Sequence, residues 1–121
     1  MSELDYGLRL RLLDREAEEP VFFGPGVAEL MEQIDREHQM TRACRNMGLS
    51  YSKAWRILKC AEDTWGKPLV EGHCGGKKGG NMVLTGEGRS LLTRYRAMVQ
   101  ELNREAGKLF EVWFGEEERR E

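Results

Sequence analysis

Ser50, Tyr51, Ser52, Lys53, Arg56 and Lys59 fall within ten consecutive positions, interleaved with Ala54 and Leu58. Wound at 3.6 residues per turn, Ala54, Leu58, Ala61 and Trp65 form one stripe, whereas Ser52, Lys53, Arg56 and Lys59 fall on the other side. A helix of this kind packs one face. It offers the other, rich in hydroxyl, ammonium and guanidinium donors, to the acceptor-bearing edges of base pairs and to phosphates. Trp55 flanks the set. Its indole has one donor and is best at apolar packing, so it is expected to pin the helix against the body of the protein rather than to read a base.

A second basic group lies in Gly72-His-Cys-Gly-Gly-Lys-Lys-Gly-Gly80. The glycines let the backbone approach phosphates, and Lys77 and Lys78 supply the charge. A nucleotide-cradling loop is the enzymatic alternative, but the Gly-x-x-x-x-Gly-Lys-[Ser/Thr] spacing and the strand-to-helix context are missing. His73 and Cys74, with Cys60, could bind a metal or sense oxidation, but an exposed His-Cys pair in a loop usually does neither. Cys44, Cys60 and Cys74 are odd in number, widely spaced and without a Cys-x-x-Cys pair, which argues against a disulfide frame or a zinc site. No metal, cofactor or enzymatic activity is assigned.

The elements that must position these groups follow from pattern. Tyr6, Leu8, Leu10 and Leu12 alternate with Gly7, Arg9 and Arg11, the period of a half-buried strand. Asp14 to Pro20 reads as a turn and Val21-Phe22-Phe23 as the returning strand of a hairpin. Gly24-Pro25-Gly26 admits a support helix with Val27, Leu30, Met31 and Ile34 on its apolar face. A short helix from Thr41 to Met47 carries Ala43 and Cys44, small enough for two helices to cross closely. Gly48 suits the positive φ of a sharp turn, and Ser50 can cap the helix that follows it. Support helix, short helix, turn and donor-bearing helix together read as a helix-turn-helix. Pro68 to Glu71 and Met82 to Leu84 predict a second hairpin, a wing tipped by the glycine-lysine loop. From Gly86 to about Trp113, Leu91, Leu92, Tyr95, Met98, Val99, Leu102, Ala106 and Trp113 follow helical steps along one broad stripe. This helix would be about 40 Å long, more than a small core requires.

The whole-chain charge of −2 on 121 residues hides an asymmetry. Residues 1–37 carry a balance of −6, residues 38–80 one of +5 and residues 81–121 one of −1. The positive charge gathers where the donors lie, as expected of a nucleic-acid face. No apolar run reaches the ~20 residues of a membrane span, no secretory signal pattern opens the chain, and the expected location is cytoplasmic.

Gly48-Leu-Ser-Tyr-Ser-Lys-Ala-Trp55, Gly66-Lys-Pro-Leu-Val70, Gly75-Gly-Lys-Lys-Gly-Gly80 and Leu84-Thr-Gly-Glu-Gly88 resemble, in order and spacing, the N-terminal winged helix-turn-helix domain of ModE-type molybdate-responsive regulators. That domain is itself similar to the DNA-binding domain of LysR-type regulators. The likeness covers about Val21 to Trp113. It implies a dimeric DNA-binding domain in which the N-terminal hairpin and the long helix join two copies. In that family oxyanion-binding domains follow the long helix. Here the only plausible cluster of oxyanion donors is the wing, expected to be open, so no molybdate site is expected, and a separate sensor protein is the candidate partner for that role.

The expected architecture is therefore mainly α with small β: a single winged helix-turn-helix domain over residues 1–115 and a charged tail at 116–121. Its parts are a hairpin (1–23), a helical core (24–66), a wing (67–85) and a long dimerisation helix (86–114). The expected function is sequence-specific binding of double-stranded DNA by a transcriptional regulator through Arg42, Ser50, Tyr51, Ser52, Lys53, Arg56, Lys59, Lys77 and Lys78. A homodimer is expected to form through Leu8, Leu10 and Phe22 of the hairpin and Leu91, Tyr95, Met98, Leu102 and Leu109 of the long helix. The competing reading keeps the fold but makes it a protein-interaction module, since one fold serves many functions.

Overall fold

The computed structural model describes residues 3–73 and 81–115. Its elements are β1 (Leu12–Leu13), β2 (Val21–Phe23), α1 (Pro25–Glu37), α2 (Met40–Met47), α3 (Tyr51–Trp65), β3 (Val70–His73), β4 (Asn81–Leu84) and α4 (Gly86–Phe114). Two antiparallel ribbons, β1 with β2 and β3 with β4, flank the helices, and the fold is a winged helix-turn-helix.

Local chemistry explains the boundaries around α3. Gly48 closes α2 at φ 67° and Gly66 closes α3 at φ 90°, both in the left-handed region that favours glycine. Ser50 caps α3, its Oγ accepting the Lys53 N–H at 3.2 Å. The end of α1 follows a different rule: His38 adopts φ 59° there, a conformation that costs a residue with a Cβ. Its carbonyl accepts the Met82 N–H at 2.8 Å, so the turn that closes α1 also holds β4.

The core gathers Phe23 from β2, Ala28, Leu30, Met31 and Ile34 from α1, Met40, Ala43 and Cys44 from α2, and Ala54, Leu58 and Ala61 from α3. Leu69, Val70, Met82 and Leu84 close it from the wing, and Leu91, Leu92 and Tyr95 from α4. Small residues line the contact of α2 with α3, as a tight crossing requires. Burial pushes the Cys44 thiol up, which favours its neutral, unreactive form.

Two expectations need correction. The alternating stretch from Tyr6 to Leu12 is not a strand along its length. Only Leu12 and Leu13 pair with β2, and the register shifts even within this short ladder. Residues 3–11 instead form an extended strap against α4, where the Tyr6 hydroxyl donates to the Asn103 carbonyl (3.0 Å) and the Tyr95 hydroxyl donates to the Leu10 carbonyl (2.7 Å). The second correction concerns Leu91 and Tyr95, expected at a dimer interface. They are 2% and 3% exposed within one copy, because the first turns of α4 lie over Phe23 and the core.

Candidate nucleic-acid interface

The first turns of α3 present Tyr51, Ser52, Lys53 and Arg56 to solvent, while Ala54 and Leu58 behind them are buried. The turn at Gly48 and the Ser50 cap set where this row begins, and α1 and α2 support its back. Capping occupies Ser50 Oγ as an acceptor, so Ser50 shapes the helix entrance as well as lying at it. Tyr51 is 53% exposed, unusual for so large a ring, and leans edge-on against Trp55 at 6.3 Å between centroids. Trp55 is half-buried and packs against the core, in keeping with a pinning role. It braces an aromatic group at the entrance of the helix, an arrangement that helical periodicity alone does not reveal.

Lys59 lies one turn beyond Arg56 and pairs with Asp63 at 3.3 Å, which reduces the field that it projects. Arg42, on α2, is exposed and 3.9 Å from Glu37. Arg45, three positions further on, is also exposed. It was not among the expected contacts, although its three-residue spacing from Arg42 puts both on one side of α2. Lys77 and Lys78 lie outside the described residues, as do Cys74 and the side chain of His73. Among the described residues no cluster of His, Cys, Asp and Glu could hold a metal ion, and no helix is long and apolar enough to cross a membrane.

The wing is fastened to α3 by a group that pattern reading missed. Glu62 accepts the N–H groups of Leu69 (2.8 Å) and Val70 (3.4 Å), fixing where the chain turns from α3 into β3. Trp65, at the end of α3, donates its indole N–H to Glu87 at 2.9 Å and stacks on Phe22 at 6.1 Å. Phe22, expected at a dimer interface, is half-buried within its own chain by this contact. Two ion pairs join α1 to α4: Asp35 with Arg89, where both guanidinium nitrogens reach the carboxylate at 2.7 and 3.2 Å, and Glu32 with Arg96. The Arg89 hydrogen bonds hold the Asp35 carboxyl below its ordinary value. The Glu32 partner raises Arg96 in turn.

Leu8 (49% exposed), Met98 (47%), Leu102 (39%) and Leu109 (57%) do lie at the surface, and Leu10 is half-buried. They lie on the strap and the distal part of α4, away from the Tyr51 to Arg56 row in the chain's order of elements. Val112, Trp113 and Phe114, at the end of α4, are exposed as well.

Comparison with known proteins places this geometry in context. The family model of bacterial regulatory helix-turn-helix proteins, lysR family, matches residues 28–89, from α1 to the start of α4. The chain is 36% identical over 91 residues to the molybdenum transport protein ModE of Azotobacter vinelandii, a match covering 72% of this chain and 34% of that protein. It is 31% identical over 84 residues to the transcriptional regulator ModE of Haemophilus influenzae, covering 69% and 33%. It is 29% identical over 89 residues to the DNA-binding transcriptional dual regulator ModE of Escherichia coli, covering 74% and 34%. The match thus spans about a third of the length of each relative. Among solved structures, the crystal structure of a CbnR DBD–DNA complex superposes with a TM-score of 0.56 at 17% identity, covering 72% of this chain and 94% of that one. This last likeness is one of fold.

Proposed function

From the premise that this chain belongs to the bacterial regulatory helix-turn-helix proteins of the lysR family, we propose that it binds double-stranded DNA sequence-specifically as a transcriptional regulator, without enzymatic activity of its own. The observation that carries the reading is the exposed row Tyr51, Ser52, Lys53 and Arg56 on the first turns of a helix whose other face buries Ala54, Leu58 and Ala61 in the core. In this reading α3 enters the major groove, Arg56 and Lys53 donate to purine acceptors, and Ser52 and Tyr51 contact neighbouring base edges or a thymine methyl. Arg42, Ser50, Lys59 and the wing lysines Lys77 and Lys78 contact the phosphate backbone, which sets register and affinity rather than sequence.

The functional unit in this proposal is a two-fold homodimer, because one helix contacts too few base pairs to select a site from a genome. Met98, Leu102 and Leu109 of α4, with Leu8 of the strap, are the exposed apolar residues that a second copy would cover. Two recognition helices related by a two-fold axis read a palindrome whose half-sites lie about 34 Å apart, or a multiple of it. The relatives named for molybdenum extend well beyond the matched region, and we assign no oxyanion site to the residues described here.

Sequencing the DNA retained from a pool of genomic fragments tests this reading. The expected result is enrichment of a two-fold symmetric site, with log affinity falling linearly and steeply as log salt rises. Retention without enrichment of any sequence, or affinity indifferent to salt, would replace it with the protein-interaction reading.

A further inference from the structure

Among the described residues, Tyr51 is the one exposed large hydrophobic side chain on α1, α2 or α3; the others lie between Leu4 and Val21 or from Met98 onward. It thus stands apart from the apolar residues that a second copy would cover. Its neighbours in the exposed row, Ser52, Lys53 and Arg56, all bring hydrogen-bond donors.

A single exposed ring is ordinary on a protein surface, but this one is held in place. Tyr51 is the first residue of α3 and Trp55 lies one turn further on, so their side chains are neighbours on the helix surface. The two rings meet edge to face, with 6.3 Å between centroids and 70° between planes, and Trp55 in turn packs against the core. The Tyr51 hydroxyl makes no hydrogen bond with another described residue, so the part that the fold braces is the ring. A ring fixed before binding loses little freedom when it makes a contact.

The chemistry of the major groove selects that contact. Base-pair edges there present donors and acceptors, which Ser52, Lys53 and Arg56 can serve, and a single kind of apolar group, the C5 methyl of thymine. We propose that the Tyr51 ring, braced by Trp55, reads 5-methylpyrimidines. It covers the C5 methyl of one thymine in each half-site, and it accepts 5-methylcytosine there too, because the methyl group occupies the same ring position in both bases. This rests on the DNA-binding reading above and commits Tyr51 to one contact and one class of base within it. Covering one methyl group is worth about fourfold in affinity, less than a good bidentate arginine contact, so Tyr51 sharpens a site that Arg56 selects.

Base analogues test the proposal on the duplex enriched from the genomic fragments. Deoxyuridine replaces thymidine one position at a time, which removes the methyl group and leaves every hydrogen-bonding group of the base pair in place. At the responding position, cytosine and 5-methylcytosine are then compared. For the parent protein, one position in each half-site should lose about fourfold in affinity with deoxyuridine, and 5-methylcytosine there should bind about fourfold more tightly than cytosine. Tyr51→Ala should bind the thymidine and deoxyuridine duplexes equally, whereas Tyr51→Phe should discriminate as the parent does. Three results would overturn the proposal and leave DNA binding standing. The parent could be indifferent to the methyl group at every position; discrimination could survive in Tyr51→Ala, which hands the methyl group to another side chain; or it could vanish in Tyr51→Phe, which hands the contact to the hydroxyl. Enrichment of no site at all would overturn this proposal together with the reading it rests on.

Discussion

A Cβ placed on Gly88 would lie 2.0 Å from the carbonyl oxygen of Leu69, so the first turn of α4 rests directly on the backbone that enters the wing. The contact is closed by Thr85, which caps α4 through the Gly88 N–H (2.9 Å), donates its hydroxyl to the Pro68 carbonyl (2.8 Å) and donates its N–H to Leu69 (3.0 Å). Backbone cannot step aside as a side chain can. Gly88→Ala is expected to cost about 3 kcal/mol or more of folding stability, read from urea unfolding. A loss under about 1 kcal/mol would mean that wing and helix can separate without penalty.

Specificity and affinity should part between helix and wing. Arg56→Ala should cost about 1–3 kcal/mol of binding to the preferred site and relax the preference at one base pair, whereas Lys77→Ala with Lys78→Ala should weaken every sequence alike and flatten the salt dependence. Competition binding against a library of single-base variants measures both. A changed preferred site in the wing variant, with none in Arg56→Ala, would reverse the assignment.

The long helix should respond differently at its two ends. Met98→Glu with Leu102→Glu places like charges near the proposed symmetry axis and is expected to give folded monomers that bind DNA weakly. Leu91→Ala, by contrast, empties a buried site and should cost about 2–5 kcal/mol of stability in any oligomeric state. Sedimentation and thermal unfolding of the two variants side by side separate the effects. Monomers from neither variant would confine α4 to its own core.

Acid should loosen the joint between α1 and α4. Because Arg89 lowers the Asp35 carboxyl in the folded chain, the ionised pair contributes stability above the ordinary aspartate value. That contribution disappears as pH falls through the lowered one. Both side chains are more than a third exposed, so the effect is small, and Asp35→Asn isolates it. The expected result is that the stability gap between parent and Asp35→Asn narrows between about pH 5 and pH 2. A gap that is constant over this range would remove the pair from the acid response.

What the sequence made legible here is what local backbone chemistry decides. Gly48, Ser50 and Gly66 bound α3 because a positive φ and a capping hydroxyl act on their immediate neighbours, and Ala54, Leu58 and Ala61 take the buried face that their spacing predicts. The strap was less legible. Alternation reports one apolar face and does not say whether that face meets a sheet or a helix, so Tyr6 to Leu10 reads as a strand although it lies on α4. Likewise a helical stripe does not divide itself. Tyr95 and Met98 lie on one face of α4, yet the first is buried against Phe23 and the second is exposed, because the core ends between them. His38 escaped notice altogether, since a histidine in the left-handed region is fixed by what holds it, the contact with Met82, and not by its own preference.

The strap's contacts with α4 also set an order of events during synthesis. Tyr6 and Leu10 dock on groups 97 and 85 residues further along the chain, so the strap, once made, waits for α4. Until α4 emerges from the ribosome, Leu4, Tyr6 and Leu8 have no apolar surface of their own to cover. At translation rates of roughly 5–20 residues per second, that interval lasts several seconds. In the proposed dimer, the waiting strap of one nascent chain would find the finished helix of a neighbouring chain on the same polysome, a route to assembly during translation.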